Sequence, residues 1–198
     1  MRELRVAITG HRPKDLVDAT GQPLDIRAII LNALHWIAAQ ATLRHYDTVT
    51  IITGGAQGID QEMAAIVHEL RGELFDGVQL RSCLTLPFSP AIQGSTWGPA
   101  GIARLERLVA EADEVIGPLF STYSVGGLHS RNHRMVDESK LVVGFWNGKH
   151  AGGTYACLIY ALSGQSVLAK NPTAGSHYRP AYNALGIIHK LDFADLAA

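Results

Sequence analysis

The chain has 198 residues, 47% of them hydrophobic and 18% charged, which indicates a single folded domain over residues 1–198 rather than long disorder. Its 17 basic and 18 acidic residues leave a formal net charge of -1, so a basic face for nucleic acid is not expected. No signal-peptide segment follows the start, and no apolar run approaches the roughly 18–20 residues that cross a bilayer. A cytoplasmic protein without a membrane partner is therefore expected.

Strands alternate with helices along the chain. Apolar and β-branched runs that end at glycine or proline predict strands, and apolar residues at helical spacing predict helices. The predicted order is strand 4–9, helix 25–41, strand 48–53, helix 58–70, strand 78–86, helix 100–112, strand 114–116, loop 118–129, helix 130–139, strand 141–146, helix 152–162, strand 166–169, helical turn 180–185 and edge strand 187–191. This alternation predicts a three-layer α/β fold, a mostly parallel sheet with helices on both faces. Ligands of such sheets bind outside the carboxyl ends of the strands.

A turn that contains Thr9, Gly10, His11 and Arg12 comes directly after the first predicted strand. Gly10 permits a positive φ or the close approach of a ligand, and Arg12 supplies a forked donor suited to phosphate. These four residues are candidate ligand-binding residues. The alternative is an ordinary strand-ending turn with a surface arginine.

The second predicted strand runs into TGGAQGID at 53–60, where three glycines precede a helix. Backbone N–H groups at such a helix start can bind an anion, which makes Gly54, Gly55, Ala56 and Gly58 candidate ligand-binding residues. Neither a P-loop nor the G-x-G-x-x-G fingerprint is present. Asp60 could contact a ribose hydroxyl or act as an acid or base, or it could only complement the helix dipole. Glu62, at the same helix start, is interpreted as a solvated residue.

A third strand–glycine–helix turn occupies residues 147–154 and adds Gly152, Gly153 and Thr154 to the ligand-binding candidates. The Thr154 hydroxyl could donate to a phosphate or cap the helix. Just before this strand, Arg131 could reach a phosphate, and Asn132 a base edge or ribose. The alternative is a surface helix in which Arg134 pairs with Asp137 or Glu138.

Other chemical groups carry weaker signals. The spacing of His129, His133 and Asp137 could present three metal ligands, but without a partner cluster elsewhere we expect no metal and no cofactor. Three loop aromatics could stack on a base, or could pack against their own loops; they are Trp97, Phe120 and Tyr123. The two cysteines, Cys83 and Cys157, lie in apolar runs and are expected to be buried free thiols.

Four segments together resemble the YpsA/YspA-like branch of the SLOG superfamily over residues 5–168: ITGHRP at 8–13, TGGAQGID at 53–60, RNHRMVDES at 131–139 and VVGFWNGKHAGGT at 142–154. The resemblance implies a Rossmann-like fold, a nucleotide-type ligand on the glycine turns and a homodimer. Arg131 and Met135 are similar to the arginine–methionine helix of the "lonely guy" phosphoribohydrolases, whose arginine serves catalysis. Those enzymes carry a catalytic glutamate three residues after the threonine of P-G-G-x-G-T-x-x-E. Here that position is Cys157, a departure from the enzymes' pattern.

Three functions remain open at this stage. The first is a sensor or binding protein for a nucleotide or nucleotide-derived ligand. The second is a hydrolase of the N-glycosidic bond of nucleoside monophosphates or related nucleotides, in which Asp60 is the catalytic carboxylate and Arg131 anchors the phosphate. The third is single-stranded DNA binding of the DNA-processing type, which the neutral charge balance disfavours.

Overall fold

A computed structural model describes residues 2–17, 20–163 and 181–183. Within these residues the strands are β1 Glu3–Gly10, β2 Thr48–Thr53, β3 Leu74–Phe75, β4 Val78–Thr85, β5 Glu114–Ile116, β6 Leu141–Phe145 and β7 Ala181–Asn183. The helices are α1 Ile26–Leu43, α2 Ile59–Glu69, α3 Pro90–Gln93, α4 Gly98–Glu111, α5 Val125–Asp137 and α6 Gly152–Ser163, with a 3-10 turn at Pro13–Asp15.

The strands form one sheet in the order β3-β4-β2-β1-β6-β7, and β5 also pairs with β4. Every pairing is parallel except that between β3 and β4. The predicted α/β fold with a mostly parallel, Rossmann-like sheet is therefore confirmed. Strands β2, β1 and β6 are neighbours, so their carboxyl ends lie side by side.

Helices cover both faces of the sheet because each central strand is apolar on both sides. On one face, α1 and α2 pack against Val6, Ile8 and Ile51. On the other face, α5 and α6 pack against Ala7 and Ile52. Strands that are buried on both faces read as continuous apolar runs, and this is why their positions could be predicted closely.

Helix α1 could cross a membrane by length and composition alone, since its 18 residues have a mean hydropathy of 1.2. The expectation that no run of this kind occurs is therefore wrong. The apolar side of α1, which includes Ile30, Leu34 and Ile37, is fully buried in the core of the sheet. Asp25 caps the helix by accepting a hydrogen bond from the Ala28 amide at 3.0 Å. Packing in the core thus accounts for the apolar composition of this helix.

The largest correction concerns the loop predicted at 118–129, because α5 already begins at Val125. Ser124 caps the helix by accepting a hydrogen bond from the Gly127 amide at 3.0 Å. A side chain at Gly127 would approach the Phe88 ring to 2.7 Å. The two glycines that suggested a loop are therefore helical residues, and Gly127 allows close packing.

Smaller differences occur elsewhere in the chain. The short elements β3 and α3 were not predicted. The helical turn expected at 180–185 is wrong where it can be compared, because Ala181–Asn183 forms a strand parallel to β6. The strands predicted at 166–169 and 187–191 lie outside the described residues.

Candidate functional site

The three glycine turns meet at one edge of the sheet. The first turn contacts both of the others through His11. Its Nε2 atom accepts a hydrogen bond from the Asn147 amide at 3.1 Å, and its carbonyl accepts one from the Ile59 amide at 3.4 Å. We call this region, formed by residues 9–12, 53–60 and 147–154, the strand-end edge.

The backbone of the second turn is held by side chains of the protein itself. The Oδ2 atom of Asp60 accepts hydrogen bonds from the amides of Gly54 at 3.1 Å and Ala56 at 3.4 Å. The carbonyls of Gly54 and Gly55 accept hydrogen bonds from Gln93 at 2.9 Å and Gln61 at 3.1 Å. Two of the amides predicted to bind a ligand anion therefore bind the Asp60 carboxylate instead.

The other amides of this turn differ in their access to solvent, because Gly55 and Gly58 are buried and Gln57 is partly exposed. Among the residues that the structure describes, no acceptor contacts the amides of Gly55, Gln57 and Gly58. Gly58 has a φ of 97°, and a Cβ atom there would collide with the carbonyl of His11. The turn is thus open toward solvent at Ala56 and Gln57, which are partly exposed, and closely packed at Gly58.

Helix α5 brings Arg131 onto the second turn. Its Nη1 atom lies 3.4 Å from Asp60 Oδ2, and each side chain of the pair is only 7% exposed. A Cβ atom on Gly54 would coincide with the Arg131 guanidinium, so only glycine fits beneath it. Arg131 thus lies against the second turn with Asp60 as its ionic partner, and its contact with a phosphate stays a prediction.

Within the described residues, seven buried side-chain polar atoms have no hydrogen-bond partner, and three of them belong to residues next to or in contact with Gly54: Arg131 Nε, Thr53 Oγ1 and Gln93 Oε1. Buried polar atoms without a partner are rare in folded proteins, because each costs about 1–3 kcal/mol of desolvation. Their concentration at one turn is the pattern expected where a ligand or ordered water completes the hydrogen bonding.

Asn132, the neighbour of Arg131, connects α5 to the third turn. Its Nδ2 atom donates to the carbonyl of Gly153 at 3.3 Å. Gly152 and Gly153 are exposed at the start of α6, whereas Thr154 is buried. Arg131 and Asn132 therefore lie between two glycine-containing helix starts, and Asn132 forms a polar link to the second of them.

The charge state of the carboxylate depends on its burial. Burial raises the pKa of Asp60, while the Arg131 charge and the two turn amides oppose that rise. All three of these donors contact Oδ2, and no described residue donates to Oδ1. Oδ1 is thus the atom of this carboxylate that could accept a hydrogen bond from a ligand hydroxyl.

Cys157 lies beneath the strand-end edge, hydrogen-bonded to Thr9 and close enough to Asp60 and Arg131 to sense their charges. Burial raises the pKa of the Cys157 thiol to about 12, so the thiol is protonated at neutral pH. A protonated, buried thiol cannot replace the carboxylate that the phosphoribohydrolases carry at this position. The prediction that both cysteines are buried free thiols is confirmed.

Other sequence candidates contact the rest of the protein. Arg12, the last residue of the first turn, is exposed. Glu62 pairs with Arg104 of α4 at 2.8 Å, and Arg134 pairs with Glu138 at 2.7 Å, as the surface-helix interpretation allowed. Both pairs lie on the protein surface.

The three residues of α5 whose spacing suggested metal ligands have other surroundings in the structure. His129 lies within the helix rather than before it, and its ring is exposed. The His133 ring stacks on Tyr160 at 3.7 Å between ring centroids, and Asp137 accepts a hydrogen bond from the Tyr160 hydroxyl at 3.1 Å. These contacts join α5 to α6.

The loop aromatics differ in their surroundings. Trp97 packs against the apolar cluster between α2 and α4. Phe120 and Tyr123 lie around the buried Phe88 ring, with ring centroids 6.4 Å and 5.3 Å away. Both retain exposed surface, and the ring that both contact belongs to the segment after β4 rather than to their own loop.

Ser82, His68 and Glu111 form a hydrogen-bonded series that no local pattern in the sequence indicated. His68 contacts Ser82 Oγ through Nε2 at 2.7 Å and Glu111 through Nδ1 at 3.2 Å. Because Ser82 is 1% exposed, no substrate reaches its hydroxyl, and the series serves to connect α2, β4 and α4. These residues are 14 to 43 positions apart and carry no local motif.

The His68 contacts predict a pH dependence of stability. Burial lowers the pKa of His68, and the nearby charge of Arg71 lowers it further. The hydrogen bond to Glu111 raises the pKa but does not outweigh the effect of burial. The folded-state pKa thus lies below the unfolded value of about 6.5, so stability is lost as the pH falls below about 6.5. Urea unfolding at several pH values is expected to show a smaller loss for His68→Gln than for the unaltered protein.

Two features make this comparison specific. His11 and His133 also have lowered pKa values, but they are present in both proteins and cancel in the comparison. His129→Gln, which changes an exposed ring, serves as the control and should retain the full pH dependence. Equal acid sensitivity of His68→Gln and the unaltered protein would disprove the assignment.

The chain matches the family described as YspA SLOG over residues 6–163. It is 30% identical over 121 residues to an uncharacterized SPbeta prophage-derived protein, YoqJ, of Bacillus subtilis (strain 168), covering 56% of this chain and 67% of that protein. A solved structure of DNA processing protein A from Helicobacter pylori, described for its single-stranded DNA binding mode, has a TM-score of 0.46 and 14% identity. That match covers 81% of this chain and 61% of the other, so the chain spans about three fifths of that protein's length.

Proposed function

This chain belongs to the YspA SLOG family, and from that premise we propose that it binds a nucleotide or nucleotide-derived ligand at the strand-end edge, as a sensor or binding protein. The observation that carries the proposal is the position of Arg131 and Asn132 between the second and third turns. A buried guanidinium with a partnerless Nε atom, next to exposed amides at a helix start, suits an anionic ligand.

The proposed arrangement assigns the phosphate to the start of α6. The amides of Gly152, Gly153 and Thr154 would donate to it, and Arg131 would neutralise its charge. This placement is preferred to the second turn because Asp60 already accepts from the amides of Gly54 and Ala56. A second anion beside that carboxylate would be repelled.

The remaining parts of the ligand would lie over the first and second turns. Asp60 Oδ1 would accept a hydrogen bond from a ribose hydroxyl, and Asn132 would contact the base or ribose. The partly exposed His11 and the exposed Arg12 would border the ligand. Each of these groups lies on the same edge as the third turn.

Hydrolysis of an N-glycosidic bond is the second candidate function. The raised pKa of Asp60 favours it, because burial beside a charged partner is an environment in which catalytic carboxyl groups are often found. Binding without turnover is preferred because three donors hold Asp60 Oδ2 in place, and because Cys157 stands where the related enzymes carry glutamate.

Thermal unfolding in the presence of nucleotides tests the proposal. Nucleoside monophosphates, NAD, the matching nucleosides and inorganic phosphate form the panel. A nucleotide at one hundred times its Kd is expected to stabilise the folded state by about 2.7 kcal/mol, which raises Tm by roughly 5–10 °C for a protein of this size. The nucleosides should produce a much smaller shift because they lack the phosphate.

Chromatography of the same samples separates the candidate functions. Release of free base would support the hydrolase, and the absence of any nucleotide-dependent shift would refute both nucleotide functions. A gel shift with single-stranded DNA that weakens with salt would instead favour the DNA-processing function. Light scattering tests for the homodimer, which stays a prediction from the family resemblance. Cytoplasmic localisation stays a prediction from the sequence pattern.

A further inference from the structure

A cavity of about 210 Å³ lies at the edge of the sheet opposite the glycine turns. It is bordered by the second half of α1 and by the first residues of β1 and β6. Its apolar lining includes Leu4, Leu141 and the Trp36 side chain. We call it the basal cavity, and no motif in the sequence pointed to it.

Cationic side chains surround the basal cavity. Arg2 and Lys140 both lie over the ring of Tyr46, with Arg2 Cζ 5.0 Å and Lys140 Nζ 5.1 Å from its centroid. Arg44, the third cation, contributes to the lining and donates from Nη1 to the Gln40 carbonyl at 3.0 Å. Aromatic rings attract cations through their faces, so Tyr46 holds both Arg2 and Lys140 next to its ring.

These cations are not neutralised by neighbouring carboxylates. Within residues 2–17, 20–163 and 181–183, the side chains of Arg2, Arg44 and Lys140 form no ion pair. The adjacent carboxylate is Asp47, which accepts a hydrogen bond from the Arg2 backbone amide at 3.0 Å. Two cations, Arg44 and Lys140, therefore line the cavity, and Arg2 lies beside it over the Tyr46 ring.

We propose that the basal cavity binds a small organic anion with one aromatic ring, such as an aromatic carboxylate. The apolar lining and Trp36 would contact the ring, and Lys140 and Arg44 would bind the carboxylate. Pockets for larger ligands usually measure about 300–1,000 Å³, so this cavity suits a single-ring molecule rather than a nucleotide. The site is independent of the strand-end edge, and its proposal does not depend on nucleotide binding.

Benzoate is the probe for this site. The indole N–H signal of Trp36 in a 1H–15N NMR spectrum, assigned by its loss in Trp36→Phe, reports contact with the cavity. Benzoate is expected to shift this signal saturably. Lys140→Gln should weaken the binding roughly tenfold, the effect of losing one charge-assisted contact.

Controls separate the site from a general charge effect. Lys14→Gln removes an exposed cation beside the first turn and should leave benzoate binding unchanged. Benzyl alcohol, which has the ring without the charge, should not shift the Trp36 signal at the same concentration. Because Lys140 is exposed, its replacement should preserve the fold, and a matching circular dichroism spectrum checks this.

Two results would overturn the proposal. One is the absence of a saturable Trp36 shift with benzoate. The other is an equally strong benzoate-dependent shift in the Lys140→Gln protein, which would mean that Lys140 contacts only the Tyr46 ring and not the ligand. Nucleotide-dependent stabilisation in the Lys140→Gln protein is expected to be intact, so failure here is distinguishable from failure of the proposed function.

Discussion

Replacing Arg131 with alanine is expected to lower the free energy of unfolding by about 3–5 kcal/mol, because it leaves the buried Asp60 carboxylate without its cation. Both side chains of the pair are 7% exposed, so water cannot replace the lost partner fully. The same variant should lose the nucleotide-dependent rise in Tm, since the guanidinium is the proposed phosphate ligand. Urea denaturation measures the first effect and thermal unfolding with nucleotide measures the second.

Arg134→Ala is the matched control for this variant. It removes an arginine three positions along the same helix, whose partner Glu138 lies on the surface. A partly exposed pair of this kind contributes at most about 1 kcal/mol, and the nucleotide response should be retained. If Arg131→Ala were as stable as Arg134→Ala, the buried pair would have no structural importance.

A double-mutant cycle with Asp60→Asn shows whether the two residues act together. Asparagine keeps an acceptor for the Gly54 amide but removes the charge that Arg131 faces. A coupling energy of about 0.5–3 kcal/mol between Arg131→Ala and Asp60→Asn is expected for residues in direct contact. Additive effects would indicate that the 3.4 Å approach contributes little.

Gly54→Ala is expected to have the second largest effect. The added Cβ atom would occupy the position of the Arg131 guanidinium, so the arginine must leave the turn. Displacement of a well-packed side chain costs typically about 1–3 kcal/mol, and the turn would also lose its cation. Urea denaturation should show the destabilisation, and thermal unfolding with nucleotide should show no ligand-dependent shift.

Two other glycines provide controls for this substitution. Gly126 lies in the first turn of α5, and a Cβ atom there meets nothing within 4 Å, so Gly126→Ala should not destabilise. Gly153→Ala would approach only Asn132, at 3.8 Å, and should also preserve the fold. A Gly54→Ala protein with unchanged stability and ligand response would contradict the packing of Arg131 on this turn.

The elements that could be predicted were those with strong local signals. Strand β2 was predicted with its observed bounds because every residue is β-branched and two glycines follow. The start of helix α5 was predicted five residues too late, since Gly126 and Gly127 are poor helix formers and their helical state depends on the Ser124 cap and on contact with Phe88. Local preference favoured a loop there, and tertiary packing overrode it.

The candidate site shows the same division. Placing the three turns at one edge follows from parallel strands, and a parallel sheet could be predicted from the alternation of elements. The hydrogen bonds from the Gly54 and Ala56 amides to Asp60 could not be predicted, because an aspartate at a helix start can also face solvent. The hydrogen bond from Gln93 to Gly54 could not be predicted either, since it joins residues 39 positions apart.

By itself, the sequence determined the fold class, most strand and helix positions and the glycine turns, because these depend on residue preferences and apolar periodicity over a few neighbours. Only the tertiary structure decided that Arg131 lies on Gly54, that Ser82 meets His68 and Glu111, and that two cations line the basal cavity. Those contacts join side chains distant along the chain. Which of them meet depends on the packing of the whole core, so no short segment contains the information.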